Sequence, residues 1–204
     1  MSTRGRGHSE GTRDQVLAAA MKKFGEKSFL GATTAEIAKE ADVSEKTIFD
    51  LFGDKKTLYL EVRGSIHSSM LKDMLPNLPL GAGAPAVLRG LGREFVREVR
   101  RNHDKARVTI QAITAIDDPD IKRSTQEFFL QIHDVVKDIL VDGQKVGLVR
   151  ADVDFEQFAW TYTMALQSAA YVSLMVLKPE LPEETALLFL NRLVDQIEPH
   201  SHQV

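Results

Sequence analysis

The sequence predicts an all-α protein of about nine helices, two of them very short and close together near the N-terminus. Three observations carry this prediction. Apolar residues recur at helical spacing through nearly all of the 204 residues, with no convincing two-residue alternation. Ser, Thr or Asp stands before most periodic segments, and Gly or Pro follows them. Thr33 to Lys55, reading TTAEIAKEADVSEKTIFDLFGDK, holds two short helical patterns, each with its own N-cap, on either side of a turn of a few residues.

The first helix runs from Thr12 to about Lys27 and places Val16, Leu17, Ala20, Met21 and Phe24 on one stripe, with residues 1–11 read as a flexible arm. Thr33 and Glu36 then form a capping box, with Ile37, Ala38 and Ala41 facing inward. Asp42-Val43 makes the turn. Ser44 caps the next short helix, whose buried side carries Ile48 and Phe52. Gly53 ends it, and Asp54 caps a long helix from Lys55 to about Leu75, stopped by Pro76. Pro76–Pro85, PNLPLGAGAP, is the best linker candidate in the chain.

A helix from about Ala86 to Arg101 follows, with Leu88, Leu91, Phe95 and Val99 as its apolar face, then a shorter one to about Ile116. Asp118 caps and Pro119 opens a long helix reaching about Val146. Asp152 to Asp154 starts the eighth, which ends at Lys178-Pro179, and the ninth spans about Glu183 to Ile197.

Composition narrows the function classes. The chain is 43% apolar and 27% charged and has no cysteine, which excludes a disulfide framework, cysteine-held zinc, iron–sulfur clusters and a thiol nucleophile. No uninterrupted apolar run approaches the ~18–20 residues of a membrane span. The N-terminus lacks the apolar stretch of a secretory signal, and the expected location is the cytoplasm. Net charge is −3, yet residues 1–60 carry 10 Lys or Arg against 9 Asp or Glu, and the remainder 16 against 20. The asymmetry has the sign a nucleic-acid contact needs, although no strongly basic patch is present.

Two short capped helices cannot bury much alone, so they must cross neighbours steeply. That is the helix-turn-helix arrangement, whose second helix can enter the DNA major groove. On that helix Glu45, Lys46, Thr47, Phe49, Asp50 and Leu51 are not needed for the buried face. Thr47 can donate or accept, the Phe49 ring can meet a thymine methyl, and Lys46 can bond a phosphate or a guanine. Glu45 can accept from a cytosine amino group, or pair with a nearby lysine. Thr34 and Ala35 open the preceding helix, where backbone N–H groups can meet a phosphate, and Lys55 adds a positive charge beside them.

Thr12 to about Val62, with its stripe Val16, Leu17, Ala20, Phe24 followed by TTAEIAKEADVSEKTIFDLFGDKKTL, resembles the TetR family of bacterial transcription regulators. The resemblance implies a DNA-binding domain at 1–53 and an effector-binding and dimerisation domain at 54–204. It implies a homodimer, a double-stranded DNA operator and a small-molecule effector. By matching position, Thr34, Ala35, Lys46, Thr47, Phe49, Leu51 and Lys55 would meet DNA, with Glu45 as a further candidate. The recognition helix departs from the family in its two carboxylates, Glu45 and Asp50, and in having Phe49 and Leu51 where a phosphate-reaching hydroxyl is common. Asp42 replaces the family's usual turn glycine, tolerating the left-handed conformation at some cost.

Phe128, His133, Trp160, Met164 and Gln167 are apolar-rich with a few polar tips, which suits either an effector pocket or ordinary core. Ala165, Ala169 and Ser173 make one side of the eighth helix small, and Leu187, Leu190 and Val194 belong to a wide apolar surface on the ninth. Together they are the candidates for a four-helix dimer interface. Arg89, Arg93, Arg97, Arg100 and Arg101, interleaved with Glu94 and Glu98, read as a salt-bridged face. The aspartates at 117–120 and 152–154 read as caps. His67, His103 and His133 have no local ligand partner, so neither a metal nor a cofactor is expected, and no catalytic motif points to an enzyme. The expected function is a homodimeric repressor released from its operator by a small, partly apolar effector. The alternative is a dimeric small-molecule-binding or partner-dependent regulator with weak DNA affinity of its own.

Overall fold

A computed structural model describes residues 4–175 and 183–199. Nine α-helices occur among the described residues: α1 (Arg4–Gly31), α2 (Thr34–Glu40), α3 (Glu45–Phe52), α4 (Lys55–Met74), α5 (Ala84–Arg101), α6 (His103–Gln111), α7 (Pro119–Lys145), α8 (Phe155–Met175) and α9 (Glu183–Asp195). The end expected for α8 at Lys178-Pro179 and the start of α9 at Pro182 lie outside the described residues.

The caps behave as their chemistry requires. Thr33 and Glu36 close a reciprocal capping box at α2, and the Ser44 side chain accepts from the backbone N–H of Thr47. Thr57 N–H donates to Asp54 Oδ1 at 2.7 Å, and Asp120 N–H to Asp118 Oδ1 at 2.9 Å. Gln157 N–H donates to Asp154 Oδ1 at 3.0 Å. Asp42 adopts φ 50°, the left-handed turn expected of it.

The start of α1 differs from expectation. Helix begins at Arg4, inside the stretch read as an arm, because extending a helix already anchored by a buried stripe costs far less than nucleating one. Its regular part stops at Ser28, where φ is 61°.

The chain forms two compact units. The first comprises Met1–Ser69 with His103–Thr125, so it takes in more than the 1–53 segment. Its core joins Val16, Ala20 and Phe24 of α1 to Ile37, Ile48 and Phe52 of the helix-turn-helix, Leu58, Tyr59, Val62 and Ile66 of α4, and Val108 of α6. The Tyr59 ring meets Phe24 edge-on at 4.9 Å between centroids, and its hydroxyl donates to the Val108 carbonyl at 3.4 Å. Gly25 lets α6 pack closely on α1, since a Cβ there would stand 3.2 Å from the Asp104 backbone, a tight approach.

The second unit comprises Met70–Asn102 with Gln126–Val204. Here α5 packs on α8 and α9, burying its expected face Leu88, Leu91, Phe95 and Val99. Tyr162 of α8 is fully buried and donates its hydroxyl to the Leu88 carbonyl. The segment 76–85 is not a linker between the units. It folds back on α5 of its own unit, with Pro79 so close to Gly90 that a Cβ there would lie 2.7 Å from the proline ring. Gly and Pro serve tight packing here rather than freedom. On α5, Arg97 pairs with Glu94 at 2.8 Å as expected, whereas Arg89 reaches Asp195 and Glu198 at the end of α9, each at 2.7 Å.

Candidate nucleic-acid interface

The α2–α3 pair is held from below by Ile37, Ala38, Ile48 and Phe52, all in the core of the first unit. This fixes which side of α3 faces outward. Glu45, Lys46, Phe49 and Asp50 are exposed, and Thr47 is half-exposed. Phe49 is 46% exposed, which leaves its ring open to a partner.

The outward polar groups are tied to one another. Lys46 Nζ lies 2.6 Å from Asp50 Oδ2, so Asp50 does lie on the solvent side but neutralises the one cation of the helix. Glu45 is paired with no lysine: its carboxylate accepts from the Thr34 hydroxyl at the start of α2, which clasps the two short helices together. Thr47 Oγ1 is 2.8 Å from the capping hydroxyl of Ser44. Ala35 is exposed beside Thr34.

Two of the expected contact residues are placed differently. Leu51 is half-buried and packs against the core, because α3 is only two turns long and its last turn closes on α1. Lys55 is pinned inward: its ammonium donates to the Ala32 carbonyl at 3.1 Å and stands 4.7 Å from the centre of the Phe29 ring. Arg13, which the sequence did not single out, holds the same corner. It donates to the Leu51 carbonyl at 3.1 Å, pairs with Glu61 and covers the Phe52 ring at 4.6 Å.

Charge around the pair is mostly compensated. Lys22 and Lys23 meet Glu40, and Lys27 meets Glu36. These bonds hold both carboxyl groups below the usual glutamate range, the Lys27 hydrogen bond first for Glu36 and the Lys22 hydrogen bond first for Glu40. Lys39 on α2 is exposed and belongs to none of these pairs.

In the second unit, His133 and Trp160 are brought together, their rings 4.5 Å apart and tilted by 33°. His133 is buried, with Nδ1 3.0 Å from Asp134 Oδ1 and Nε2 3.3 Å from Glu156 Oε1. Phe128 is buried and pairs with Phe129 at 6.1 Å. Gln167 is half-buried, and its Nε2 is enclosed without a hydrogen-bond partner. Met164 is 61% exposed and faces away, so the five do not line one cavity.

The expected interface residues divide in the same way. Ala165, Ala169, Leu190 and Val194 are buried inside the protomer's own core, out of reach of a second copy, while Ser173 and Leu187 are half-buried. The small face of α8 meets α5 and α9 instead. Among the described residues, the large apolar side chains that α8 and α9 expose are Met164, Tyr171, Val172, Leu188 and Phe189, each 40% exposed or more.

Comparison with known proteins agrees with this geometry. A family model described as bacterial regulatory proteins of the tetR family matches residues 16–62. Among solved structures, a TetR-like transcriptional regulator from Rhodococcus sp. RHA1 is 19% identical, with a TM-score of 0.74 over 91% of this chain and 94% of that one. A fatty acid degradation regulator from Bacillus halodurans is 15% identical, with a TM-score of 0.76 over 89% and 96%. A ketosteroid transcriptional regulator from Mycobacterium tuberculosis is 18% identical, with a TM-score of 0.65 over 92% and 95%. At these identities the likeness is one of fold. No curated protein matches the sequence.

Proposed function

By its N-terminal domain the chain is a member of the tetR family of bacterial regulatory proteins, and on that premise we propose that it is a homodimeric repressor, released from its operator by a small, partly apolar effector. The observation that carries the reading is α3 itself: capped, anchored on one face by Ile48 and Phe52, and presenting Lys46, Thr47 and Phe49 on the other. Residues 1–53 would contact DNA in the cytoplasm, and 54–204 would receive the effector and the second copy. Each protomer reads one half-site, with half-sites ~34–36 Å apart.

The homodimer is supported by the exposed apolar residues of α8 and α9, which a lone protomer leaves in water. Two neighbours in fold are named as a fatty acid degradation regulator and a ketosteroid transcriptional regulator, and the largely hydrocarbon make-up of fatty acids and ketosteroids is in keeping with a partly apolar effector. Release requires the effector to bind two states of the dimer with different affinity.

A mobility-shift series on the DNA upstream of the chain's own gene tests the reading. A retarded species at low salt that weakens as salt rises is expected. Failure to retard any fragment at low salt would leave the second reading, a regulator with weak DNA affinity of its own, which the Lys46–Asp50 pair favours.

A further inference from the structure

Arg63 occupies a core position. On α4 it shares the buried stripe of Tyr59, Val62 and Ile66, and only 1% of it is exposed. Its Nε donates to Ser124 Oγ at 3.2 Å and one terminal nitrogen to Thr125 Oγ1 at 3.1 Å. The other terminal nitrogen, Nη1, is buried with no hydrogen-bond partner. Both hydroxyls are neutral, and so is Tyr59, whose ring centre lies 5.9 Å from the guanidinium carbon, so no carboxylate answers the charge.

The carboxylates of Asp118, Asp120 and Glu61 are engaged elsewhere. Asp118 and Asp120 hold Lys56, Asp120 also holds Arg123, and Glu61 holds Arg13. His67, one turn further along α4, adds no charge near neutrality, because burial and then the Arg63 charge push its pKa down to about 4. A guanidinium is always protonated. Among the described residues, the core of this unit therefore holds the Arg63 charge without a carboxylate partner, an arrangement that is unfavourable until an anion joins it.

The hydroxyl protons distinguish the donors. Thr125 gives its proton to the Ile121 carbonyl at 2.8 Å. Ser124 accepts from Arg63, and its own proton is left to donate. Two donors, Nη1–H and Ser124 Oγ–H, thus remain beside one net positive charge, enough for the two oxygens of a monoanion.

We propose that Arg63 and Ser124 bind the carboxylate of the effector, a monocarboxylic acid whose apolar body lies against the apolar residues of the same unit, Val62, Ile66 and Ile121 among them. This rests on the effector-released regulator proposed above and names the chemical class of its ligand. A dianionic phosphate would bring an excess negative charge into the same core, and an alcohol would leave Arg63 uncompensated.

The test uses the full chain without DNA. Thermal unfolding is followed with straight-chain carboxylates from acetate to dodecanoate, with benzoate and phenylacetate, and with the matching alcohols and monoalkyl phosphates. At least one carboxylate should raise the midpoint while its alcohol does not. Arg63→Met should weaken that carboxylate at least about tenfold, with Arg63→Lys retaining part of the affinity. Ligand-free Arg63→Met should melt no lower than the parent, since an unpaired buried charge is removed. The proposal is overturned if no carboxylate acts more strongly than its alcohol, if phosphates act and carboxylates do not, or if Arg63→Met binds as the parent does. A mobility shift run in parallel separates the two readings: DNA bound without any Arg63-dependent carboxylate effect ends this proposal alone, whereas no DNA bound ends the operator-bound repressor reading.

Discussion

Lys46 and Asp50 form an ion pair of 2.6 Å one turn apart on the exposed face of α3. The pair cancels the charge that this helix would otherwise bring to a phosphate. Asp50→Asn should free Lys46, strengthen DNA binding across sequences and steepen the plot of log affinity against log salt by about one phosphate contact. Binding measured at several salt concentrations reads both effects. An unchanged slope would mean that Lys46 does not reach the backbone in the complex.

Glu45 and Thr34 join α2 to α3 through one side-chain hydrogen bond. Thr34→Val should release Glu45 into solvent and weaken operator binding by repulsion, and Glu45→Gln in the same background should restore it. Competition between operator and random DNA separates this from a loss of base reading. If Glu45→Gln alone lowers discrimination, the carboxylate is reading a base rather than clasping α2.

Asp42 holds φ 50° between the two short helices. A β-branched side chain is strained there, so Asp42→Val should lose about 1–2 kcal/mol in denaturant unfolding. Asp42→Gly should keep or slightly raise stability. Equal stability of the Val and Gly variants would show that the turn does not hold this conformation in solution.

His67 gives the fold a pH dependence of known sign. The unfolded chain binds a proton near pH 6.5 that the folded chain refuses until about pH 4. Stability should therefore fall as pH drops through that window, by up to about 1.4 kcal/mol per pH unit, and level off below it. His67→Leu should flatten this part of the profile, read from unfolding midpoints between pH 7 and pH 4.

Leu188 and Phe189 on α9 are 51% and 58% exposed. If they meet a second copy, Phe189→Glu should halve the mass measured by light scattering while leaving the helical circular dichroism intact. A dimer that survives this change would have to use another face.

Caps and local breaks were legible from residues alone, because a cap is a bond between a side chain and a backbone group two or three positions away. Thr33, Ser44, Asp54 and Asp118 all act within that range. The stripe of α1 and the buried side of α3 were legible too, since a single surface helix must turn its apolar face to the core. Less was legible in α8 and α9, which have more apolar residues than one face can hold. Ala165 and Val194 satisfy the pattern of an interface as well as that of a core, and only the packing of α5 between them assigns them to the core.

The sequence by itself determined the caps at Thr33, Ser44, Asp54 and Asp118, and that two of the helices form a capped helix-turn-helix, because those outcomes depend on near neighbours in the chain. The tertiary structure decided which groups those helices share. It set Glu45 on Thr34, drew Leu51 and Lys55 inward, and buried Arg63 with one nitrogen unanswered. These partners lie from 11 to 62 positions apart, beyond the reach of any helical period. Distance along the chain is what hid them, since a side chain's partner is chosen by packing once the helices have met.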